Sequence, residues 1–247
     1  MTLEKEICSV CQSEQRFGYK FCTSCGARNS RVVPKTVRKA EDSEKNIQFL
    51  TAYSFIVLAV LVVNYYLDET FYTIIIVSVV FALVDLAFAY HQPTVWRLVF
   101  KPINLFHLLW VVPVFAASAF VIYYFVDNMN SLFFDYDYLD YRFEDTSHPL
   151  LYSLIFMAVF PAVFEELAFR GFVFDAIEKI SDYRFAIWGS SFLFALVHFS
   201  VLSFFWLVPF AIILARIRLR YSSIVFGIVA HFVHNSVVTI VDYYGWL

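Results

Sequence analysis

Charge is scarce in this chain, and the scarcity excludes more than any residue that is present. Asp, Glu, Lys and Arg make up 16% of the 247 residues, against a hydrophobic fraction of 61%. A water-soluble domain of this length must cover itself with polar groups and uses about 45–50% apolar residues. Such a fold is therefore excluded. Cysteine is confined to the first 25 residues, so the remainder has none with which to form a disulfide. No cleavable signal peptide is expected either, because residues 1–46 read as polar and charged rather than as a basic start followed by an apolar core. The first apolar run is expected to act as its own insertion signal. No internal repeat stands out.

What is present is apolar and aromatic. The chain has 30 Phe and 16 Tyr and a mean hydropathy of +0.68, suited to side chains that meet lipid tails and headgroups. Apolar runs near the roughly 20 residues needed to cross the hydrocarbon are placed at Ile47–Leu67, Phe71–Tyr90, Asn104–Val126, Leu150–Phe174, Phe185–Phe199, Val201–Ile217 and Ser222–Tyr243. The predicted fold class is an all-α polytopic transmembrane bundle of about seven spans with a small N-terminal module. The fifth and sixth runs are short and nearly contiguous, which leaves a tight hairpin or a partly re-entrant pair open. The divisions read as residues 1–30 (module), 31–46 (charged linker), 47–149 (first spans and an acidic loop) and 150–247 (a second set of spans).

The net charge of −3 is unevenly spread. Lys35, Arg38, Lys39 and Lys45 precede the first span, and the next connection, Asp68-Glu69, has no cation. Arg97 and Lys101 follow. Next come the acidic stretch Asp127–Pro149, then Lys179 and Arg184, an uncharged turn at Ser200, and finally Arg216, Arg218 and Arg220. Basic and non-basic connections alternate, and cytoplasmic loops carry the Lys/Arg excess. This places the N-terminus in the cytosol and the C-terminus outside an integral membrane protein. The acidic loop is read as solvated in preference to binding a cationic peptide. Expected partners are membrane lipid and a membrane-associated peptide or protein, with no nucleic acid.

Cys8-Ser-Val-Cys11 and Cys22-Thr-Ser-Cys25-Gly26 form C-x2-C-x10-C-x2-C. A two-residue gap lets both thiolates of a pair reach one tetrahedral ion, and four soft ligands in a cytosolic segment favour Zn2+ over disulfides. The module resembles the short zinc ribbons at the termini of many prokaryotic proteins, which implies a structural Zn2+ on Cys8, Cys11, Cys22 and Cys25. Four thiolates leave no open position for water, so the module is structural or docks a protein partner.

The spans themselves carry groups that lipid does not tolerate alone. In Glu165-Glu166-Leu-Ala-Phe-Arg170, Glu166 and Arg170 are an i,i+4 pair and Glu165 points about 100° away around the helix. His198 ends Phe194-Ala-Leu-Val-His198. The midpoint between Glu165 and His198 falls at Ser181-Asp182, where the chain should turn. A helical hairpin there brings both to one depth, about 24 Å from the turn. On the last span His231 and Asn235 are i,i+4 and share a face, with His234 at its edge.

These three motifs, E-E-x-x-x-R, F-x-x-x-H and H-x-x-x-N, occur in that order on separate apolar runs. Residues 150–243 resemble the CPBP family of CAAX proteases and bacteriocin-processing enzymes, also called the Abi family. The resemblance implies an intramembrane endopeptidase in a bacterial cell membrane. In it Glu165 and His198 activate water, and His231 and Asn235 hold the oxyanion. Glu166 and Arg170 orient the site, and Phe194 packs behind it. A carboxylate partly withdrawn from water is a competent general base, and donors gain strength where water is scarce. One Glu and two His also form a reasonable zinc set. The metal-free, glutamate-type site is preferred because Asn235 is a poor zinc ligand and a good oxyanion donor, and H-E-x-x-H is absent. Two other classes compete. One is a non-catalytic scaffold or bacteriocin-immunity protein that recruits a partner through the ribbon. The other is a proton-coupled transporter, which the absence of repeat symmetry disfavours.

Overall fold

A computed structural model describes residues 5–7, 11–16, 24–25, 35–133 and 143–245. It divides at residues 45 and 46 into two units. In the first, strands β1 (Lys5–Ile7) and β2 (Glu14–Arg16) pair antiparallel, with Ile7 opposite Glu14 and Lys5 opposite Arg16. Residues 11–13 lead into β2. Cys11 there and Cys25 are exposed, while Cys8 and Cys22 lie outside the described residues, as does most of the acidic loop (134–142).

The remainder is helical. Helix α1 runs Lys35–Tyr65, so residues 35–46, expected as linker, extend the first span's helix. Helix α2 (Phe71–Tyr90) opens on a reciprocal cap: Thr70 Oγ1 accepts from the Thr73 N–H at 3.3 Å and Thr73 Oγ1 accepts from the Thr70 N–H at 2.8 Å. Pro93 opens the short α3 (Pro93–Val99), where its missing N–H costs nothing. Helix α4 is Leu108–Phe133.

Helix α5 (Pro149–Ile180) is interrupted by two π-helical stretches, Leu154–Val159 and Glu166–Val173, the second containing a non-helical Gly171. Asp182 caps α6 (Tyr183–Leu196) by accepting from the Phe185 N–H at 2.8 Å, which places the turn at Ser181-Asp182 as expected. Helix α7 (Val201–Tyr221) stops at Ser222, whose φ is +48°. Helix α8 (Val225–Tyr244) stops at Gly245, at φ +57°, a conformation glycine adopts without strain.

Within the second unit, α5 is the central element, packed on α2, α3, α6, α7 and α8. The helix ends sort into two groups. Ser223 Oγ donates to the Leu98 carbonyl at 3.1 Å, Lys101 Nζ to the Tyr221 carbonyl at 3.0 Å and Lys179 Nζ to Gln92 Oε1 at 3.1 Å. These bonds gather the basic connections at one end. At the other, Tyr123 Oη donates to Asp242 at 3.3 Å and Phe71 packs on Tyr152 at 5.1 Å. The alternation inferred from Lys and Arg is thus matched by packing.

Among the described residues five helices are long and apolar enough to cross a membrane: Ser43–Tyr65, Phe71–Tyr90, Leu105–Met129, Pro149–Ile180 and Val225–Tyr244. The expected fifth and sixth spans are not among them. At 14 residues α6 reaches only about 21 Å, short of a hydrocarbon layer of about 30 Å, and α7 carries Arg216, Arg218 and Arg220 in its last turns. They form a packed hairpin instead. Large apolar side chains stand exposed around the bundle, Phe55, Leu109, Val121 and Phe205 each at 69–73%, as a lipid-facing surface requires.

Candidate active site

The polar groups meet where α5 faces α8. Glu166 is fully buried, and its Oε1 takes an ion pair from Arg170 at 2.8 Å and a contact from His231 Nδ1 at 3.2 Å. Gly227 of α8 is what allows this approach, since a Cβ there would come within 2.6 Å of Glu166 Oε2. Arg170 is buried as well. Its guanidinium lies 4.3 Å from the centre of the Phe194 ring and Nη2 donates to the Ala211 carbonyl at 3.4 Å. Burying two charges costs several kcal/mol each unless they pair closely. Here pairing, a carbonyl and an aromatic face together meet that cost. Phe194, expected merely to pack behind the site, is thus the surface on which Arg170 rests.

Glu165 is oriented differently. Its side chain keeps 29% exposure, and its Oε2 lies 3.9 Å from His231 Nε2, too far for a hydrogen bond and near enough for electrostatic attraction. That oxygen is buried with no hydrogen-bond partner. His231 stands between the two carboxylates. A carboxylate accepts only, so Nδ1 carries the hydrogen toward Glu166 and Nε2 faces Glu165.

His198 lies two residues beyond the last residue of α6, in the turn before α7, where a helical position was expected. Its Nδ1 sits 2.8 Å from the Phe194 carbonyl. A carbonyl cannot donate, so this bond fixes the tautomer and leaves Nε2 as the acceptor. The Phe194 ring touches both His198 (5.0 Å) and His231 (5.8 Å). It links the two histidines, and among the described residues the ion-pair partner of Glu165 is His231 rather than His198.

Asn235 Nδ2 donates to the Met157 carbonyl at 3.1 Å, in the first π-helical stretch. One of its two amide hydrogens therefore ties α8 to α5, and among the described residues the other has no acceptor. His234 is buried against Trp206 and Phe210 at 5.7 and 4.7 Å, and the Phe210 ring also meets His231 at 5.6 Å. Among the described residues no group of three or more His, Cys, Asp or Glu side chains is arranged to hold a metal ion.

Several participants were not foreseen. Asp85 of α2 is 4% exposed and accepts from Tyr53 Oη at 2.9 Å. The signal was available, since Asp85 is the one charged residue in Phe71–Tyr90 and an intramembrane carboxyl calls for a partner. Arg218, counted among the loop cations, is buried. It pairs with Asp175, stacks 3.9 Å over the Phe174 ring, and shares Asp175 with the Thr94 hydroxyl. Arg216 and Arg220 stay exposed, so that connection remains basic.

The motif-bearing helices can be compared with known proteins. Residues 147–237 match the type II CAAX prenyl endopeptidase Rce1-like family model. The match takes in all three motifs and leaves out α1 to α4 and the cysteine module. No curated protein and no solved structure matches the chain. Similarity to a CAAX-protease family is therefore carried by α5 to α8, the helices that contribute Glu165, Glu166, Arg170, Phe194, His198, His231 and Asn235.

Proposed function

We propose that the protein is an intramembrane endopeptidase of the CAAX-protease type, hydrolysing a peptide bond of a membrane-associated peptide or protein. The observation that carries the reading is the arrangement at Glu165. One carboxylate oxygen is buried and unpartnered, a histidine nitrogen lies 3.9 Å away, and the surrounding helices match a family of endopeptidases.

Glu165 is the general base that takes a proton from water, and His198, with Nε2 left as acceptor, assists it. In its protonated form His231 donates from both nitrogens, to Glu166 through Nδ1 and to a developing oxyanion through Nε2. The uncommitted Asn235 N–H adds a second donor. Glu166 and Arg170 hold His231 in register and do not touch the substrate. The metal-free mechanism is favoured because Asn235 suits an oxyanion better than a metal.

The α6–α7 hairpin enters from the basic, cytosolic end and turns at His198 within the bilayer. An odd number of crossings then keeps the N-terminus in the cytosol and the C-terminus outside. Cys8, Cys11, Cys22 and Cys25 hold a structural Zn2+, in keeping with an antiparallel β1–β2 pair in which Cys11 leads into β2. The ribbon docks a protein partner.

The decisive test compares purified wild type with Glu165→Gln and His198→Ala in lipid nanodiscs, using a farnesylated CAAX peptide and, in parallel, the peptide inventory of cells expressing each form. Cleavage by wild type that both variants lose is expected. Undiminished cleavage by Glu165→Gln refutes the reading.

A further inference from the structure

At the basic end of the second unit a groove of about 340 Å³ is lined by Thr94 and Arg97 of α3, Asp175, Glu178 and Lys179 of α5, and Arg218 of α7. Arg218 is its buried member, 6% exposed. The guanidinium is held in one direction by the Phe174 ring 3.9 Å beneath it and by the bond from Nη2 to Asp175 Oδ1. Among the described residues no acceptor engages its Nε. Asp175 has no oxygen to spare for a ligand, because Oδ1 accepts from Arg218 and Oδ2 from the Thr94 hydroxyl at 2.5 Å.

The other two cations are less committed. Arg97 is exposed, and among the described residues neither an ion pair nor a hydrogen bond engages its guanidinium. Lys179 Nζ donates to the neutral Gln92 amide at 3.1 Å, which leaves its charge unbalanced. Glu178 is exposed, where solvent weakens its hold on neighbouring cations. Three cations thus face two carboxylates around the groove, an excess of one positive charge. A phosphodiester carries a single negative charge, and its oxygens suit a fixed guanidinium flanked by two adaptable donors.

The surroundings point to a lipid as its source. Lys101, Lys179, Arg184, Arg216 and Arg220 share this end of the helices. Trp96, beside Arg97 on α3, stacks at 6.1 Å on Phe100, which is 76% exposed. Exposed aromatic rings among Lys and Arg mark the membrane interface, and basic pockets between helices on the cytosolic side take anionic headgroups.

We propose that this groove binds the phosphodiester of an anionic phospholipid from the cytosolic leaflet, with Arg218 as the fixed donor and Arg97 and Lys179 as the exposed ones. The lipid braces α3 and α7 against α5, the helix that carries Glu165, and the site exists whether or not the chain cleaves peptides.

Native mass spectrometry of the intact, delipidated protein in detergent counts bound lipids, with phosphatidylglycerol and phosphatidylcholine of the same acyl chains as probes. Wild type is expected to take one phosphatidylglycerol at least about tenfold more tightly than phosphatidylcholine, whose choline adds a positive charge where one is already in excess. Changing Arg218 would also break its pair with Asp175, so the exposed cations are the ones to test. Arg97→Gln/Lys179→Gln is expected to weaken the first phosphatidylglycerol at least about tenfold, with the melting temperature of the lipid-free protein unchanged. Arg184→Gln/Arg220→Gln removes the same charge from exposed positions at the same end outside the groove, and its affinity should stay within about twofold of wild type. Equal losses in the two double variants overturn the site in favour of a diffuse basic surface. Equal affinity for the two lipids overturns it as well. Displacement of bound phosphatidylglycerol by an equimolar amount of inorganic phosphate overturns a lipid as the source.

Discussion

At the residue scale the site separates into two carboxylates with different surroundings. Glu166 is fully buried and spends Oε1 on both Arg170 and His231, whereas Glu165 keeps partial exposure and has only the more distant His231 beside it. Their substitutions should fail differently. Glu166→Ala leaves Arg170 buried without its counterion, a loss of about 3–5 kcal/mol. A large drop in melting temperature in detergent is expected, with activity lost because the fold is lost. Glu165→Gln should melt near wild type and be inactive. Equal melting of Glu166→Ala and wild type would show that the ion pair is not structural. Gly227→Ala probes the same spot from α8. A methyl group 2.6 Å from Glu166 Oε2 must displace the carboxylate from His231, and at least a tenfold fall in kcat/KM is expected.

Helix α5 is the element on which the others converge, and its π-helical stretch over Glu166–Val173 holds both members of the E-E-x-x-x-R motif's ion pair. Such stretches recur at functional sites because they re-aim side chains locally. Further along, Asp175 clamps α5 to α7 through buried Arg218 and to α3 through Thr94. A pair like this is costly to break and cheap to replace. Asp175→Leu and Arg218→Met should each destabilise by about 3–5 kcal/mol, and the double variant by clearly less than their sum. A thermal-unfolding double-mutant cycle reads this directly, and additive losses would deny the clamp.

For the whole molecule, the packing supports the antiparallel alternation, and the peptidase reading adds direction. Reporter tags should find the N-terminus in the cytosol and the C-terminus outside, and a cysteine-accessibility scan should find no outward-exposed position in the α6–α7 turn. Metal analysis should give one zinc per chain, lost in Cys8→Ser and Cys22→Ser, with peptide cleavage retained in both. Cleavage that disappears with the ribbon zinc would place that ion in the reaction.

Much of this could be read from the sequence. The helical spans followed from apolar runs, the turn at Ser181-Asp182 from a polar break, and the Glu166–Arg170 pair from i,i+4 spacing. These are local properties, written in consecutive residues. The chain order did not disclose that the helix ends before His198, because the end depends on how α6 meets α7. Nor did it disclose that Arg218 is buried, since three arginines within five residues look alike until one finds a carboxylate across a helix interface.

The sequence by itself thus determined a membrane-embedded helical protein and nominated Glu165, His198, His231 and Asn235, because hydrophobic length and helical periodicity are one-dimensional signals. Tertiary structure decided which carboxylate is fully buried on Arg170 and which keeps partial exposure, set His231 between them, and gave Asp85 of α2 the Tyr53 hydroxyl of α1. Those outcomes depend on distances between helices far apart in the chain, and charge burial is settled only where the helices meet.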